Sequence, residues 1–236
     1  MTKPGHLEGP EPERIRTMFA SIAGRYDRAN TILSGGVHHL WRRQAVRWSE
    51  AGPGHRVLDC ATGTGDLALA FKRAVGERGE VIGTDFVPEM IELARRKSAE
   101  IRFETADVTA LPYPDDSFDI ASISFGIRNV GDPGRGIAEL ARVVKPRGRV
   151  IIVEFGQPPN RAIASLYDWY SSKILPRIGG MITGKRDAYE YLDRSAASFP
   201  SGEAFASLMR ACAEFQSVEY RPLTFGIAWL YRGVVQ

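Results

Sequence analysis

The sequence has few residues that could cross-link the chain or hold a metal. Only two cysteines, Cys60 and Cys212, occur among its 236 residues, and neither stands in a metal-ligand spacing. A reducing cytoplasm, in which disulfides are rare, explains both cysteines. We therefore expect a cytoplasmic protein without a disulfide framework and without a bound metal.

Long hydrophobic runs and a large excess of one charge are missing as well. No uninterrupted apolar stretch approaches the roughly 20 residues that span a bilayer, and residues 1–14 lack the apolar segment of a signal peptide. The formal net charge is only +3, so bulk electrostatics do not indicate nucleic-acid binding. We expect a soluble or peripheral protein with no nucleic-acid partner.

The length and composition indicate one large globular domain. The apolar and charged fractions, 44% and 25%, are ordinary for a folded soluble chain. Residues 1–13 contain three prolines and few apolar groups, which predicts a flexible tail before a single domain at 14–236. The first part of that domain, 14–50, is predicted to be helical because its apolar residues recur at helical spacing. The clearest such series is Ile15, Met18, Phe19 and Ile22.

The rest of the chain alternates strand and helix patterns. The stretch 56–70, RVLDCATGTGDLALA, combines an apolar strand, a glycine turn and a helix start. Repeats of this kind predict a parallel, doubly wound sheet. Two last strands, 216–223 and 227–234, are joined by three residues and should form an antiparallel hairpin. That ending is more typical of a methyltransferase than of a dinucleotide domain. The intervening strands are predicted at 80–86, 101–107, 118–125 and 149–155, and helices at 40–49, 88–98 and 137–144.

Polar residues follow four strands, at the edge where open α/β sheets bind ligands. The first strand ends at Gly63, Thr64 and Gly65, the second at Asp85, the third at Asp107 and the fourth at Ser124. Each has a simpler explanation: a tight turn, a helix cap for Asp85, a turn former for Asp107, a small strand residue for Ser124. Because all of them fall at consecutive strand ends, a nucleoside site is the better interpretation.

Two nucleoside cofactors fit the glycine turn. GTGDLA matches G-x-G-x-x-A, and Asp85 follows about twenty residues later, as a ribose-binding acid would. A nicotinamide cofactor explains these features, but not the acid Asp107 or the closing hairpin. S-adenosylmethionine explains both, with Asp59 as a partner for its ammonium group. We therefore expect S-adenosylmethionine and keep an NAD-dependent oxidoreductase as the distant alternative.

Longer motifs extend this interpretation. VLDCATGTGD, GTDFVPEMIELAR, SFGIRN at 124–129 and VIIVEFGQP resemble the C-methyltransferases of menaquinone and ubiquinone biosynthesis. The resemblance also covers 18–43, 167–180 and 188–200, so it includes nearly the whole chain after the tail. It implies a class I S-adenosylmethionine-dependent methyltransferase with a Rossmann-like fold. The mostly parallel seven-stranded sheet would be closed by the hairpin and carry helical additions at 14–50 and 158–200.

The resemblance also implies the site. Thr64, Asp85 with its neighbour Phe86, Asp107 with Val108, and Ser124 would contact the cofactor. Two departures are Asp107, where the family often has an amide, and Thr62, where it often has glycine. The reaction would be methylation of a ring carbon of a prenylated hydroquinone, demethylmenaquinol to menaquinol, with a ubiquinone precursor as the alternative substrate.

Carbon methylation of a quinol requires a phenolate, aligned reactants and exclusion of water. Arg128 is the first candidate for stabilising the phenolate, with a surface ion pair as the alternative. Asn129 would bind a quinol oxygen or cap a turn.

Four residues are expected to bind the substrate: Tyr26, Asp27, His38 and Tyr170. Tyr170 belongs to an apolar stripe in 161–175, which either is core, walls an isoprenoid channel or contacts a membrane. The sequence does not decide the oligomeric state, and a homodimer is compatible with it.

Overall fold

The structure is a computed structural model that describes residues 9–236. Seven strands in this part of the chain form one sheet. They are β1 (Arg56–Cys60), β2 (Glu80–Asp85), β3 (Arg102–Thr105), β4 (Phe118–Ser124), β5 (Val144–Phe155), β6 (Phe215–Leu223) and β7 (Ala228–Val235). Their order is β3-β2-β1-β4-β5-β7-β6. The first five strands pair in parallel, and β7 pairs antiparallel with both β5 and β6. The predicted fold class is confirmed.

Helices cover both faces of this sheet. Successive residues of a strand point to opposite faces, and Leu58 of β1 accordingly packs in one apolar cluster while Val57 packs in the other. Burial on both faces explains why these strands are almost wholly apolar. The helices are α1 (Pro12–Ile22), α2 (Tyr26–Leu33), α3 (Val37–Trp48), α4 (Asp66–Val75), α5 (Pro88–Lys97), α6 (Pro133–Arg142), α7 (Arg161–Trp169), α8 (Leu175–Thr183), α9 (Arg186–Ser198) and α10 (Glu203–Cys212).

Several boundaries differ from the sequence-based expectation, and two of these differences have a clear physical reason. Helix α1 begins at Pro12, inside the predicted tail, because proline suits the first turn of a helix. Residues 1–8 of the predicted tail lie outside the described part. Strand β5 begins at Val144, where a helix was predicted. A register shift between Phe118 and Ile120 of β4 lets β5 include Pro146, which cannot donate to a regular ladder.

The helical additions lie before β1 and after β5. Helix α2 packs against α8, which packs against α9, and these helices bury Ile22, Ala29, Ala188 and Tyr189 in a separate apolar cluster. A five-residue π-helical segment, Tyr170–Ile174, joins α7 to α8. Such segments are frequent at functional sites. Of the helices in residues 9–236, none is long and apolar enough to cross a membrane.

Candidate functional site

Two adjoining cavities lie between the carboxyl ends of the parallel strands and the helical additions. The larger has a volume of about 540 Å³ and the smaller about 110 Å³. Both lie beside the point between β1 and β4 where the strand order reverses, the expected ligand position in such sheets. The cavities share six lining residues, Phe19, Tyr26, Ala61, Gly63, Ser124 and Phe125. The two cavities therefore adjoin at these residues.

The glycines of the β1–α4 turn have different tasks. Gly63 has a φ of +57°, lines both cavities, and donates its N–H to Oδ2 of Asp85 over 2.8 Å. Gly65 has a φ of +84° and packs against Phe103, so that a Cβ on Gly65 would lie 2.8 Å from the ring. Only glycine combines this conformation with this close approach. Gly63 therefore faces the cavities, whereas Gly65 holds the turn against the core.

Asp85 is buried at the end of β2 and lines the smaller cavity. Its carboxylate accepts hydrogen bonds from the N–H groups of Gly63 and Val87. Burial raises its pKa to about 6, against the opposing effect of these N–H groups. The N-cap of α5 is Val87, which has no side-chain cap bond, so Asp85 supports the turn rather than capping the helix. A carboxylate has about four lone-pair positions, which leaves acceptors for ribose hydroxyls.

The smaller cavity also collects the residues predicted to follow β2 and β3. Phe86 and Val108 line it with Asp107. Asp107 is exposed and accepts a hydrogen bond from the N–H of Thr109 over 2.8 Å. It is therefore both a turn former, as the simpler interpretation had it, and a wall of the cavity.

Asp59 lies in the wall of the larger cavity. Its carboxylate accepts hydrogen bonds from the hydroxyls of Thr62, at 2.6 Å, and Ser122, at 2.7 Å. Burial raises its pKa to about 6, although the two hydroxyls act in the other direction. Thr62 thus has a function that the sequence did not reveal: a glycine at this position could not donate to Asp59.

Two non-glycine residues at the strand ends have left-handed backbone conformations. Ala61, after β1, has a φ of +45°, and Phe125, after β4, has a φ of +57°. Both line the two cavities, as does Ser124 beside Phe125. Strained residues of this kind persist where the surrounding structure enforces them, commonly at ligand sites.

Thr64 takes part in a polar network that joins α2 to the β1–α4 turn and α5. Its hydroxyl lies 2.5 Å from Oδ1 of Asp27 and accepts a hydrogen bond from Lys97. Lys97 also pairs with Asp27 and with Asp66, each at 2.6 Å. Thr64 and Asp66 line the larger cavity, whereas Asp27, predicted to bind substrate, has its carboxylate occupied by Thr64 and Lys97. We refer to Asp27, Thr64, Asp66 and Lys97 as the polar latch.

Arg128 lines the larger cavity and forms a buried ion pair with Glu154 of β5. The two side chains are 3% and 2% exposed, and Nη1 lies 2.5 Å from Oε1. Nη1 also donates to the carbonyl of Phe125, while the guanidinium lies over the Phe155 ring. Burial raises the pKa of Glu154, and the charge of Arg128 opposes this shift. The alternative of a surface ion pair is wrong.

Glu154 itself was missed by the sequence analysis. A charged residue inside the otherwise apolar run VIIVEF was the available signal, since a buried carboxylate needs a partner.

Asn129 is buried, lines the smaller cavity, and accepts a hydrogen bond from the Tyr191 hydroxyl over 3.1 Å. Its amide therefore links the turn after β4 to α9.

The other predicted substrate residues lie in the larger cavity. Tyr26 lines it, as does Tyr170, whose hydroxyl donates to the carbonyl of Leu33. His38 is buried, and its Nδ1 lies 2.6 Å from the hydroxyl of Ser34. Burial, with smaller contributions from Arg42 and His39, lowers its pKa to about 4, so the imidazole is neutral near pH 7.

The residues present fit S-adenosylmethionine. A buried carboxylate with spare acceptors, Asp85, lies in the smaller cavity, and a second, Asp59, lies in the wall of the larger one. A ligand that spans both cavities would place a diol near the first and a cation near the second.

Comparison with known proteins decides the family. The profile of the ubiE/COQ5 methyltransferase family matches residues 8–235. The chain belongs to this family. It is 52% identical to the ubiquinone/menaquinone biosynthesis C-methyltransferase UbiE of Bdellovibrio bacteriovorus, over 96% of this chain and 98% of the relative. It is 47% identical to the demethylmenaquinone methyltransferase of Thermus thermophilus, over 92% and 99%.

Among solved structures, a methyltransferase of Thermotoga maritima that depends on S-adenosylmethionine has a TM-score of 0.68 at 21% identity. The alignment covers 94% of this chain and 100% of that one. This similarity supports the fold alone. The ubiE/COQ5 family assignment confirms the enzyme class expected from the sequence, an S-adenosylmethionine-dependent C-methyltransferase, and its cofactor. The nicotinamide alternative is thereby set aside.

Proposed function

We propose that this protein methylates a ring carbon of a prenylated hydroquinone, and that its substrate is demethylmenaquinol. The observation that carries the proposal is the larger cavity, which adjoins the cofactor residues and is lined by aromatic rings and by one buried arginine, Arg128. Aromatic walls suit a planar quinol ring. The Thermus relative is named for demethylmenaquinone and the Bdellovibrio relative for both quinones, so a ubiquinone precursor is the second candidate.

The chain's own residues would bind, orient and polarise the quinol. When bound, S-adenosylmethionine supplies an electrophilic methyl group on a sulfonium. Arginine is in general a poor base, so Arg128 would stabilise the phenolate rather than remove its proton. Because Glu154 holds Nη1, the guanidinium is fixed in orientation before substrate binds. Asn129 acts from the adjoining position after β4, and burial of the site excludes water.

Substrate binding is assigned to the helical additions. Tyr26, His38 and Tyr170 come from α2, α3 and the π-helical segment, and all three line the larger cavity. Asp27 would act indirectly, through the polar latch that holds α2 beside the cofactor turn. Together these residues would enclose the quinol between the N-terminal helices and the helical addition that follows β5.

Methyl transfer tests the proposal. Labelled S-adenosylmethionine is supplied with reduced demethylmenaquinone or, separately, with a demethylated ubiquinone precursor. Methylation of demethylmenaquinol supports the proposal. Methylation of the ubiquinone precursor alone would assign the protein to ubiquinone biosynthesis. Absence of both, with adenosylmethionine still bound, would show that the acceptor is misassigned.

We also propose that the protein contacts a membrane through α7. Leu166 and Trp169 are 66% and 57% exposed on one face of this helix, while Tyr167 lines the larger cavity. One side of α7 thus lines the substrate cavity, and another side exposes apolar residues to solvent, as in a helix that lies at a membrane interface. Lys173 and Arg177 follow it and suit anionic lipids.

Co-sedimentation with vesicles containing anionic lipid tests this contact. Wild-type protein should pellet at low salt, and a variant carrying both Leu166→Ser and Trp169→Ser should not. Equal behaviour of the two proteins would contradict it. The homodimer stays a prediction, which sedimentation velocity would test.

A further inference from the structure

Arg42 of α3 is a partly buried cation that makes no hydrogen bond to the protein in the described residues. Its side chain is 14% exposed and lines the larger cavity. The guanidinium carries five N–H donors, yet it makes no hydrogen bond to any side chain or carbonyl in residues 9–236, and Nη1 is fully buried. Leaving buried donors unsatisfied is costly. A ligand that brings an acceptor would remove this cost.

The nearest carboxylate does not supply that acceptor. Nη1 of Arg42 lies 3.4 Å from Oδ2 of Asp66, an ion pair without a hydrogen bond. Oδ1 of Asp66 is held by Lys97 at 2.6 Å. Arg42 therefore shares an acid that already has a cationic partner.

The position of Arg42 identifies the missing acceptor. It lines the same cavity as Asp59, Gly63 and Thr64, while Asp85 lines the smaller cavity. The charge of Arg42 also acts on Asp59, since it opposes the burial that raises the pKa of this acid. A buried acid and a partly buried guanidinium thus line one cavity and interact electrostatically.

We propose that Arg42 binds the carboxylate of the methionine part of S-adenosylmethionine, while Asp59 binds its ammonium. A zwitterionic amino-acid group has one charge for each residue, and a guanidinium matches a carboxylate geometrically. The contact makes the N-terminal helices part of the cofactor site. This proposal depends on the assignment of S-adenosylmethionine as the cofactor and not on which quinol is the substrate.

Isothermal titration with two ligands tests this assignment. S-adenosylhomocysteine is compared with its decarboxylated analogue, which keeps the ammonium group, for wild type, Arg42→Met and Arg42→Lys. Measurements at pH 8 keep Asp59 ionised. Arg43→Met is the matched control, because Arg43 is the exposed neighbour on the same helix.

Arg42→Met should lower the affinity for S-adenosylhomocysteine about 10- to 100-fold, the range of a charged hydrogen bond. Its affinity for the decarboxylated analogue should be nearly unchanged, and Arg42→Lys should be intermediate. Equal losses for both ligands, or no loss, would overturn the proposal. If Arg42→Met does not fold, the ligand preference of Arg42→Lys decides by itself. Failure of wild type to bind S-adenosylhomocysteine would instead contradict the cofactor assignment.

Discussion

The two halves of the site are built in different ways. The cofactor half is held by the ends of β1, β2 and β4, so its groups are fixed by backbone hydrogen bonds, such as those from Gly63 and Val87 to Asp85. The substrate half is formed by helices that precede β1 and helices that follow β5, which are joined by side-chain contacts such as the bond from Tyr170 to Leu33. The first half is set by local sequence, whereas the second depends on long-range packing.

The largest effect is expected at Arg128, where the two halves meet. Arg128→Met leaves Glu154 buried without its partner, which should cost about 3–5 kcal/mol of unfolding free energy. The double variant Arg128→Met, Glu154→Leu should recover most of this loss and still lack methyl transfer. Urea denaturation and turnover measure the two quantities. A double variant as unstable as the single one would show that the pair is not the cause.

Asp85→Asn should affect only the cofactor half of the site, by weakening cofactor binding. Loss of the charged acceptor for the ribose should weaken S-adenosylhomocysteine binding about 100-fold, since hydrogen bonds to charged groups contribute about 1.5–3 kcal/mol each. Titration calorimetry measures it. The control is Asp107→Asn in the exposed wall, for which little change is expected. Similar losses at both positions would mean that burial of Asp85 is irrelevant.

The pH dependence of binding should separate the halves further. Burial raises the pKa values of Asp59 and Asp85 to about 6, so both become protonated as the pH falls below 6. Neutral Asp59 cannot pair with an ammonium group. Affinity for S-adenosylhomocysteine should therefore be constant from pH 8 to 7 and fall between pH 6 and 5. A flat profile in wild type would contradict this, and Asp59→Asn should show a shallower one.

The same two acids affect folding in the opposite sense. Their pKa values are higher in the folded protein than the usual 3.8, so the folded state binds more protons between about pH 4 and 6. Their contribution to stability is thus greatest below pH 4 and is lost as the pH rises to 6. Without ligand, Asp59→Asn should remove part of this dependence, as urea denaturation at several pH values would show.

The smallest effect is expected at the polar latch. Lys97→Met removes partly exposed ion pairs to Asp27 and Asp66, which should cost about 1 kcal/mol or less. The exposed neighbour provides the control, Arg96→Met. If the latch positions α2, the KM for the quinol should rise more than that for S-adenosylmethionine. Equal changes in the two KM values would show that the polar latch does not act on the substrate half in particular.

The sequence by itself determined the sheet and most of the cofactor half. Strand–turn–helix patterns are local, and parallel strands bring Gly63, Asp85 and Ser124 to one edge. The tertiary structure decided which polar side chains of the site are already paired with other side chains. Asp27 is held by Lys97, Arg128 by Glu154 and Asp59 by Ser122, whereas Arg42 keeps its donors for a ligand. Such pairings join residues far apart in the chain, and no local periodicity encodes them.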